Sequence, residues 1–195
     1  MNYLAHLYLS GKNEDIMVGN FIADAVKGRN LDKYPLGIQK GIRLHRQIDH
    51  FTDHHPVVID INKKFAPAYG KYAGIVTDMV FDHFLANNWS QYNKQPLSAF
   101  VDHVNQILLG SFHLMPISIQ RMMPFWVKHR WPELYQSREG ILRALNGMPR
   151  YTSLPAKSSF VNEILTKENG IFEEAFIAFF KAVSLQFCSI VDEKL

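Results

Sequence analysis

The amino-acid sequence predicts an all-α protein, a single compact helical bundle over residues 1–195 with about eight or nine helices. Apolar residues recur at helical spacing through most of the chain, and capping residues or prolines stand before several of these segments. Short runs that alternate apolar and polar side chains between turns, the pattern of a half-buried strand, are missing. With 47% hydrophobic residues over 195 positions, the chain can bury a sizeable core.

Local signals place the helix boundaries in chain order. Asn13 is a typical N-cap, two acidic residues follow it, and Gly28 ends this first segment. Pro35 opens the next helix, which stops before Pro56, and a short helix from Pro56 ends near Pro67. The remaining predictions are a long helix over 71–89, another over 96–109, two shorter helices between 116 and 150 separated at WPELY, and a last long helix after Asn169-Gly170.

Composition excludes several classes of protein. A formal charge of only +3 does not indicate a general nucleic-acid binder. Cys188 is the only cysteine, so an internal disulfide is ruled out and a reducing compartment is expected. The start MNYLAHLYLSG lacks the pattern of a signal peptide, and no apolar stretch approaches the ~20 residues of a membrane-spanning helix. We therefore expect a soluble cytoplasmic protein with neither a nucleic-acid nor a membrane partner.

The stretch GIRLHRQIDHFTDHHP, residues 41–56, holds four of the nine histidines. Residues spaced at ~100° around a helix place His45 on the apolar side, with Asp49 one turn further along the same edge. The outward side carries Arg43, Gln47, His50 and His54, and His55 is also expected at the surface.

Other helices also turn polar groups inward. Asp82 and His83 lie in a helix that is apolar around nearly its whole circumference, and Asp24 shares a helix edge with Met17 and Phe21. His6 lies inside the apolar run YLAHLYL. Burying an unpaired carboxylate costs several kcal/mol, so each such group needs a hydrogen-bonding partner, a metal ion or a shifted pKa.

Four segments that each offer an inward histidine or aspartate can converge only in the interior of the bundle, as ligands do in helical metalloproteins. A thiolate-rich zinc site is excluded because Cys188 stands alone. A mixed set of imidazoles and carboxylates favours Mn²⁺, Fe²⁺ or Mg²⁺, and open coordination positions favour metal-assisted hydrolysis. For any single residue, a satisfied polar group in the core is the alternative.

The chain resembles the acyl-carrier-protein phosphodiesterases, also called holo-acyl-carrier-protein hydrolases, in four stretches: MNYLAHLYL, GNFIADAVKG, GIRLHRQIDHFTD and DMVFDHFLANNW. The likeness extends through FWVKHRW and ILRALNGMPR. The resemblance implies an HD-domain-like all-α fold, related to the HD phosphohydrolase superfamily, and dependence on a divalent metal, usually Mn²⁺. It implies hydrolysis of the phosphodiester between 4′-phosphopantetheine and a serine of holo-acyl carrier protein, a reaction of fatty acid biosynthesis and lipid metabolism.

The resemblance also carries six candidate metal ligands: His6, Asp24, His45, Asp49, Asp82 and His83. Among them Asp24, His45 and Asp82 are the expected catalytic residues. The superfamily is named for an adjacent His-Asp pair, whereas this sequence has no His-Asp dipeptide and only the reverse order, as in Asp82-His83. The ligands therefore cannot be assigned by copying the superfamily pattern.

Arginines and lysines supply candidate substrate contacts. Arg46 lies on the flank of the inward row and is the expected phosphate clamp, with Arg43 as a second candidate further outward. A structural ion pair of Arg46 with Asp49 or Asp53 is the alternative. The acidic carrier protein implied by the resemblance would be steered by Lys27, Arg29, Lys40, Arg43 and the basic segment 121–150.

The sequence is also compatible with two other functions. An HD-like phosphohydrolase that acts on a small nucleotide or another phosphodiester would use the same metal centre with a different rim. A non-enzymatic helical adaptor would hold satisfied polar groups in its core and bind no stoichiometric metal.

Overall fold

The computed structural model describes residues 1–150 and 152–192, and within these ranges it contains helices and no β-strand, which confirms the all-α prediction. The α-helices are α1 (Tyr3–Leu9), α2 (Glu14–Ile22), α3 (Leu36–His54), α4 (Pro56–Tyr69), α5 (Ala73–Asn87), α6 (Trp89–Tyr92), α7 (Leu97–Gly110), α8 (Ile117–His129), α9 (Trp131–Leu134), α10 (Arg138–Gly147) and α11 (Ser158–Asp192). In the part of the chain that the structure describes, only α6 and α9 are single turns of four residues.

Helix α2 begins as predicted and ends earlier than predicted. Asn13 caps it, with Oδ1 accepting a hydrogen bond from the backbone N–H of Ile16 at 3.0 Å. The helix stops at Ile22 and passes into a 3₁₀ turn over Ala23–Ala25. Val26 is extended (φ −96°, ψ 105°), so the helix does not reach Gly28. Arg46 Nη2 donates to the carbonyl oxygens of Val26 and Gly28, at 3.0 and 2.9 Å, and this tertiary contact holds the segment that follows the helix.

Three other predicted boundaries differ from the structure. Helix α4 passes through Pro67 and ends at Tyr69, because a proline in the last turn removes only one backbone hydrogen bond. The WPELY segment forms the short helix α9 after Arg130, whose backbone is left-handed with φ 47°. The last helix begins at Ser158, and its break lies at Glu168 (φ −130°, ψ 25°).

Helices α2 and α3 pack with their backbones in contact. A Cβ atom added to Gly19 would collide with the carbonyl oxygen of Ile38 and lie 2.9 Å from the Cα of Gly41. A Cβ atom on Gly41 would lie 2.8 Å from the backbone nitrogen of Asn20. Both positions therefore need glycine. This close packing brings the end of α2 against the middle of α3, where His45 lies.

Helix α5 runs through the middle of the molecule, as its apolar circumference predicts. Its residues Val80, Phe81 and Leu85 are fully buried, although Ile75, which belongs to the same apolar circumference, is 39% exposed. Phe176 and Phe179 of α11 pack their rings against Phe81. Among the described residues, no helix combines the length and apolar content needed to cross a lipid bilayer.

Candidate metal centre

Three potential metal ligands from two helices meet at one point. His6 lies on α1, and His45 and Asp49 lie one turn apart on α3. The Nε2 atom of His6 is 3.1 Å from Asp49 Oδ1, and the Nε2 atom of His45 is 3.0 Å from Asp49 Oδ2. The two imidazole rings are stacked with their centroids 4.1 Å apart. The ligand atoms all lie within 4.8 Å of one another, so the three side chains can hold a metal ion.

Asp24 joins this cluster from the turn that follows α2. Its Oδ1 atom lies 3.1 Å from His45 Nε2. The expectation that Asp24 faces the core with Met17 and Phe21 is wrong, because α2 has already ended and the Asp24 side chain is 70% exposed. The carboxylate therefore stands at the border between the buried histidines and solvent.

Asn20 organises the two histidines, and sequence reasoning missed it. Its Oδ1 atom lies 2.8 Å from His6 Nδ1 and 3.0 Å from His45 Nδ1. Its Nδ2 atom donates to the carbonyl oxygen of His6 at 2.8 Å and to Ser10 Oγ at 2.9 Å. The residue is fully buried. An amide inside the apolar run MVGNFI was the available signal, because a buried amide must satisfy its hydrogen bonds somewhere.

Hydrogen bonds to two carboxylates keep a proton on His45 and leave the cluster with excess negative charge. Burial lowers the pKa of His45, but hydrogen bonds to Asp24 and Asp49 outweigh burial and raise this pKa to about 9. Burial and the neighbouring charge of His45 lower the pKa of His6. The hydrogen bond with His45 lowers the pKa of Asp24. Burial opposes ionisation of Asp49, yet both histidines hold its pKa well below the usual range. At neutral pH two carboxylates thus face one imidazolium, and the cluster attracts a cation.

The Nε2 atom of His6 gives this cluster a position that suits a cation. This nitrogen is buried and has no hydrogen-bond partner among the residues that the structure describes. It lies at ion-pair distance from Asp49 Oδ1, although the angles are not those of a hydrogen bond. A neutral imidazole whose Nδ1 donates to Asn20 has a lone pair at Nε2, so a lone pair faces a carboxylate oxygen. A divalent cation between them would satisfy both groups.

The structure does not bring Asp82 and His83 into this cluster. The Asp82 carboxylate is fully buried and accepts hydrogen bonds from the backbone N–H groups of Leu4 and Ala5, at 2.8 and 3.2 Å. Burial raises the pKa of Asp82 to about 7, and these two N–H groups oppose the rise. His83 Nδ1 donates to the carbonyl oxygen of Tyr135 at 2.6 Å. Both side chains are therefore polar core groups that hydrogen-bond to protein backbone. This is the alternative to metal binding that the sequence left open for each residue.

The two arginine candidates make different contacts. Arg46 is half-buried, and its Nη2 atom holds the carbonyls of Val26 and Gly28 rather than Asp49 or Asp53. This contact fixes the loop just after Asp24. Arg43 is exposed and donates to Gln39 Oε1 at 3.0 Å.

The predicted exposure of the outward histidines and of the basic segment 121–150 is only partly confirmed. His50 and His54 are exposed as expected, whereas His55 is half-buried with its ring 5.1 Å from that of Phe179. In the 121–150 segment, Arg130 pairs with Asp102 and Glu133, and Arg138 donates to Thr166 and Asn169. The exposed basic residues of this segment are therefore fewer than the sequence indicates: Arg121, Lys128, Arg143 and Arg150. Lys27, Arg29, Lys40 and Arg43 are also exposed.

Comparison with known proteins agrees with the resemblance of the motifs. The family model described as acyl carrier protein phosphodiesterase matches residues 1–183. The acyl carrier protein phosphodiesterase of Photorhabdus laumondii is 32% identical over 196 residues, covering 100% of this chain and 94% of the relative. That of Yersinia enterocolitica is 32% identical over 188 residues, covering 95% and 97%. That of Klebsiella pneumoniae strain 342 is 36% identical over 149 residues, covering 76% and 77%.

No solved structure matches the chain, so the expected relation to the HD superfamily stays a prediction. The family match, by contrast, spans every residue of the cluster built by His6, Asp24, His45 and Asp49. The relatives carry one name and cover most or all of the chain. This protein belongs to the acyl carrier protein phosphodiesterase family.

Proposed function

We propose that the protein is a divalent-metal-dependent phosphodiesterase that releases 4′-phosphopantetheine from the serine of holo-acyl carrier protein. The observation that carries this proposal is the convergence of His6, His45 and Asp49 with ligand atoms within 4.8 Å of one another. The names of the relatives supply the substrate. The single cysteine of the chain fits a reducing compartment such as the cytoplasm.

The ion would be held by Nε2 of His6, Nε2 of His45 and the carboxylate of Asp49. Asp24 would complete the set of ligands from the solvent side. We expect Mn²⁺, with Fe²⁺ or Mg²⁺ as alternatives, because the donors are imidazole nitrogens and carboxylate oxygens without a thiolate. When bound, such an ion supplies Lewis-acid chemistry, polarising the phosphoryl oxygens and making water a better nucleophile at neutral pH.

Asp24 would orient the attacking water. Its Oδ1 atom faces His45 Nε2, the atom that would bind the ion, and its other oxygen has no protein partner among the described residues. The lowered pKa of Asp24 keeps the carboxylate ionised at neutral pH, so this oxygen accepts a hydrogen bond from water. Its place between buried cluster and solvent is where a phosphodiester on a protein surface can arrive.

Arg46 would contact the phosphate with the donors that the loop does not use. Only Nη2 is engaged, by Val26 and Gly28, and within the described chain no partner is found for its Nε and Nη1 atoms. Nε and Nη1 lie on opposite sides of the guanidinium group, so each would donate a single charge-assisted hydrogen bond to a phosphate oxygen. Arg43, Lys27 and Arg29 are exposed nearby in sequence and would attract an acidic carrier protein.

Asp82 would support the metal centre indirectly, without contacting the metal ion or the substrate. Its carboxylate closes the N-terminal end of α1 and so fixes the helix that carries His6. We therefore propose a positioning function for Asp82 in place of the catalytic function expected from the sequence. The contact of His83 with Tyr135 ties α5 to the chain after α9 in a similar way.

The intact mass of the carrier protein tests the reaction. Holo-acyl carrier protein is incubated with the protein and Mn²⁺, with a chelator in a parallel sample. We expect a metal-dependent loss of the phosphopantetheine mass. A small phosphodiester, such as a cyclic nucleotide, is tested in parallel, because turnover of that compound with an unchanged carrier protein would identify the small-substrate phosphohydrolase instead. Failure to bind any metal would favour the adaptor.

A further inference from the structure

The orientation of the Asn20 amide is fixed by its donor end. Asn20 Nδ2 lies 2.8 Å from the carbonyl oxygen of His6, a group that can only accept hydrogen bonds. The nitrogen must therefore face this carbonyl, and Ser10 Oγ takes its second hydrogen at 2.9 Å. Ser10 Oγ in turn donates to the same carbonyl at 2.8 Å. The amide oxygen is left to face the two imidazoles.

This orientation determines which nitrogen of each histidine carries a hydrogen. Asn20 Oδ1 can only accept, and it lies 2.8 Å from His6 Nδ1 and 3.0 Å from His45 Nδ1. Both Nδ1 atoms must then be N–H groups. In each neutral ring the lone pair is consequently at Nε2, the atom that faces Asp49. The stacked rings, with 20° between their planes, point these two nitrogens the same way.

We propose that Asn20 is a positioning residue that presents Nε2 of both His6 and His45 to a divalent cation. The inference rests on the proposed metal-dependent function and adds a specific device to it. One neutral acceptor fixes the tautomer and the ring orientation of two ligands from different helices. Metal-ligating histidines commonly donate their other ring N–H to such a partner, and loss of that partner typically weakens metal binding by about 10–100-fold.

Nitrogen NMR of the wild-type protein labelled with ¹⁵N-histidine is the first part of the test. In metal-free protein, at a pH where both rings are neutral, we expect His6 and His45 to show hydrogen on Nδ1. With Zn²⁺, a diamagnetic probe, we expect the ligation shift on Nε2 of both. Hydrogen on Nε2 of either ring in the metal-free protein would overturn the inference about Asn20. Absence of Zn²⁺ binding with the Nδ1–H form retained would overturn the metal-dependent function, and with it the presentation of Nε2 to a cation, while the tautomers assigned through Asn20 would stand.

Variants separate the two ends of the Asn20 amide. Asn20→Leu removes the acceptor, and we expect a mixture of tautomers and a Zn²⁺ dissociation constant about 10–100-fold higher. Asn20→Asp keeps an acceptor but loses the donor end, so the stability should fall while the Nδ1–H form and the Zn²⁺ affinity are retained. Ser10→Ala, the matched control, perturbs only the donor end and should behave like Asn20→Asp. Equal loss of Zn²⁺ affinity in Asn20→Leu, Asn20→Asp and Ser10→Ala would mean that Asn20 only supports the fold.

Discussion

The carboxylate of Asp82, on α5, accepts a hydrogen bond from the backbone N–H of Leu4, on α1, at a distance of 2.8 Å. A second bond from Ala5 N–H satisfies its other oxygen. Two of the N–H groups that a helix leaves unpaired at its start are thus paired by a side chain from a different helix. His6 follows one residue later, so the placement of this ligand depends on α5.

Replacement of Asp82 by alanine should lower stability far more than it lowers metal affinity. The change leaves two buried N–H groups without acceptors, and we expect a loss of about 2–4 kcal/mol in the free energy of unfolding. Denaturant unfolding measures this loss, and Mn²⁺ titration of the folded variant should give a dissociation constant within about tenfold of the wild type. Unchanged stability together with abolished Mn²⁺ binding would identify Asp82 as a ligand.

Replacement of Asp24 by alanine should give the opposite result. The side chain is 70% exposed, so we expect the free energy of unfolding to change by about 1 kcal/mol or less. Turnover should fall by about 10²–10⁴-fold because the water loses its orienting carboxylate. Steady-state kinetics and far-UV circular dichroism check the two parts separately. Full activity in this variant would make Asp24 a structural residue only.

The affinity for metal should depend on pH through His45. The pKa of His45 is raised to about 9, so below this pH the metal must displace a proton from the ring. The apparent Mn²⁺ affinity should therefore increase about tenfold for each pH unit as the pH rises toward 9, and then level off. Asp24→Asn removes a hydrogen bond that raises the pKa of His45. In this variant the apparent Mn²⁺ affinity should therefore level off at a lower pH than in the wild type. An affinity in the wild type that is flat above pH 6.5 would contradict the raised pKa.

The same raised pKa affects the stability of the metal-free protein. Protonated His45 is stabilised in the folded state relative to the unfolded state, where its pKa is near 6.5. This contribution is fully present below pH 6.5 and is lost as the pH rises through about 9. Thermal unfolding of metal-free protein should therefore show a decrease in Tm over this window. The decrease should be smaller in Asp24→Asn, and its absence in the wild type would contradict the assigned ion pairs.

The sequence predicts the candidate metal ligands on α3 better than the residues that hydrogen-bond to them. His45 and Asp49 lie one turn apart on the same face of α3, so their spacing places them together. Burial of Asp82 was also predictable, but a hydrophobicity pattern does not distinguish a carboxylate that faces a metal from one that faces a helix end. Asn20 was missed because a neutral amide is not a typical ligand for these ions. Its role becomes visible only when α2 and α3 are packed together.

Gly19 provides a test of that packing. A Cβ atom at this position would collide with the Ile38 carbonyl, so Gly19→Ala should cost about 2–3 kcal/mol or more and should separate α2 from α3. Metal affinity should fall with it, because Asn20 and Asp24 move away from His45. Gly170→Ala is the matched control: it lies in α11 with no atom within 4 Å of the added Cβ, and should stabilise the protein by about 0.5–1 kcal/mol. Equal effects of the two changes would contradict the close packing.

Exposed charges beside Asp24 should govern the encounter with substrate. Lys27→Glu combined with Arg29→Glu should raise the KM for holo-acyl carrier protein several-fold at low salt with little change in kcat. High salt should reduce the difference, because exposed charges are screened. Lys181→Glu, an exposed lysine on α11, is the control and should leave KM unchanged. An unaffected KM in the double variant would place the docking surface elsewhere.

The position of Mn²⁺ in a crystal of the metal-loaded protein is the most direct test of the proposed centre. Anomalous scattering at the manganese absorption edge locates the ion without reference to its ligands. We expect a peak within bonding distance of Nε2 of His6, Nε2 of His45 and the carboxylate of Asp49, with Asp24 on the solvent side. A peak bonded to Asp82 or His83, or to Nδ1 of either ligand histidine, would contradict the centre proposed here.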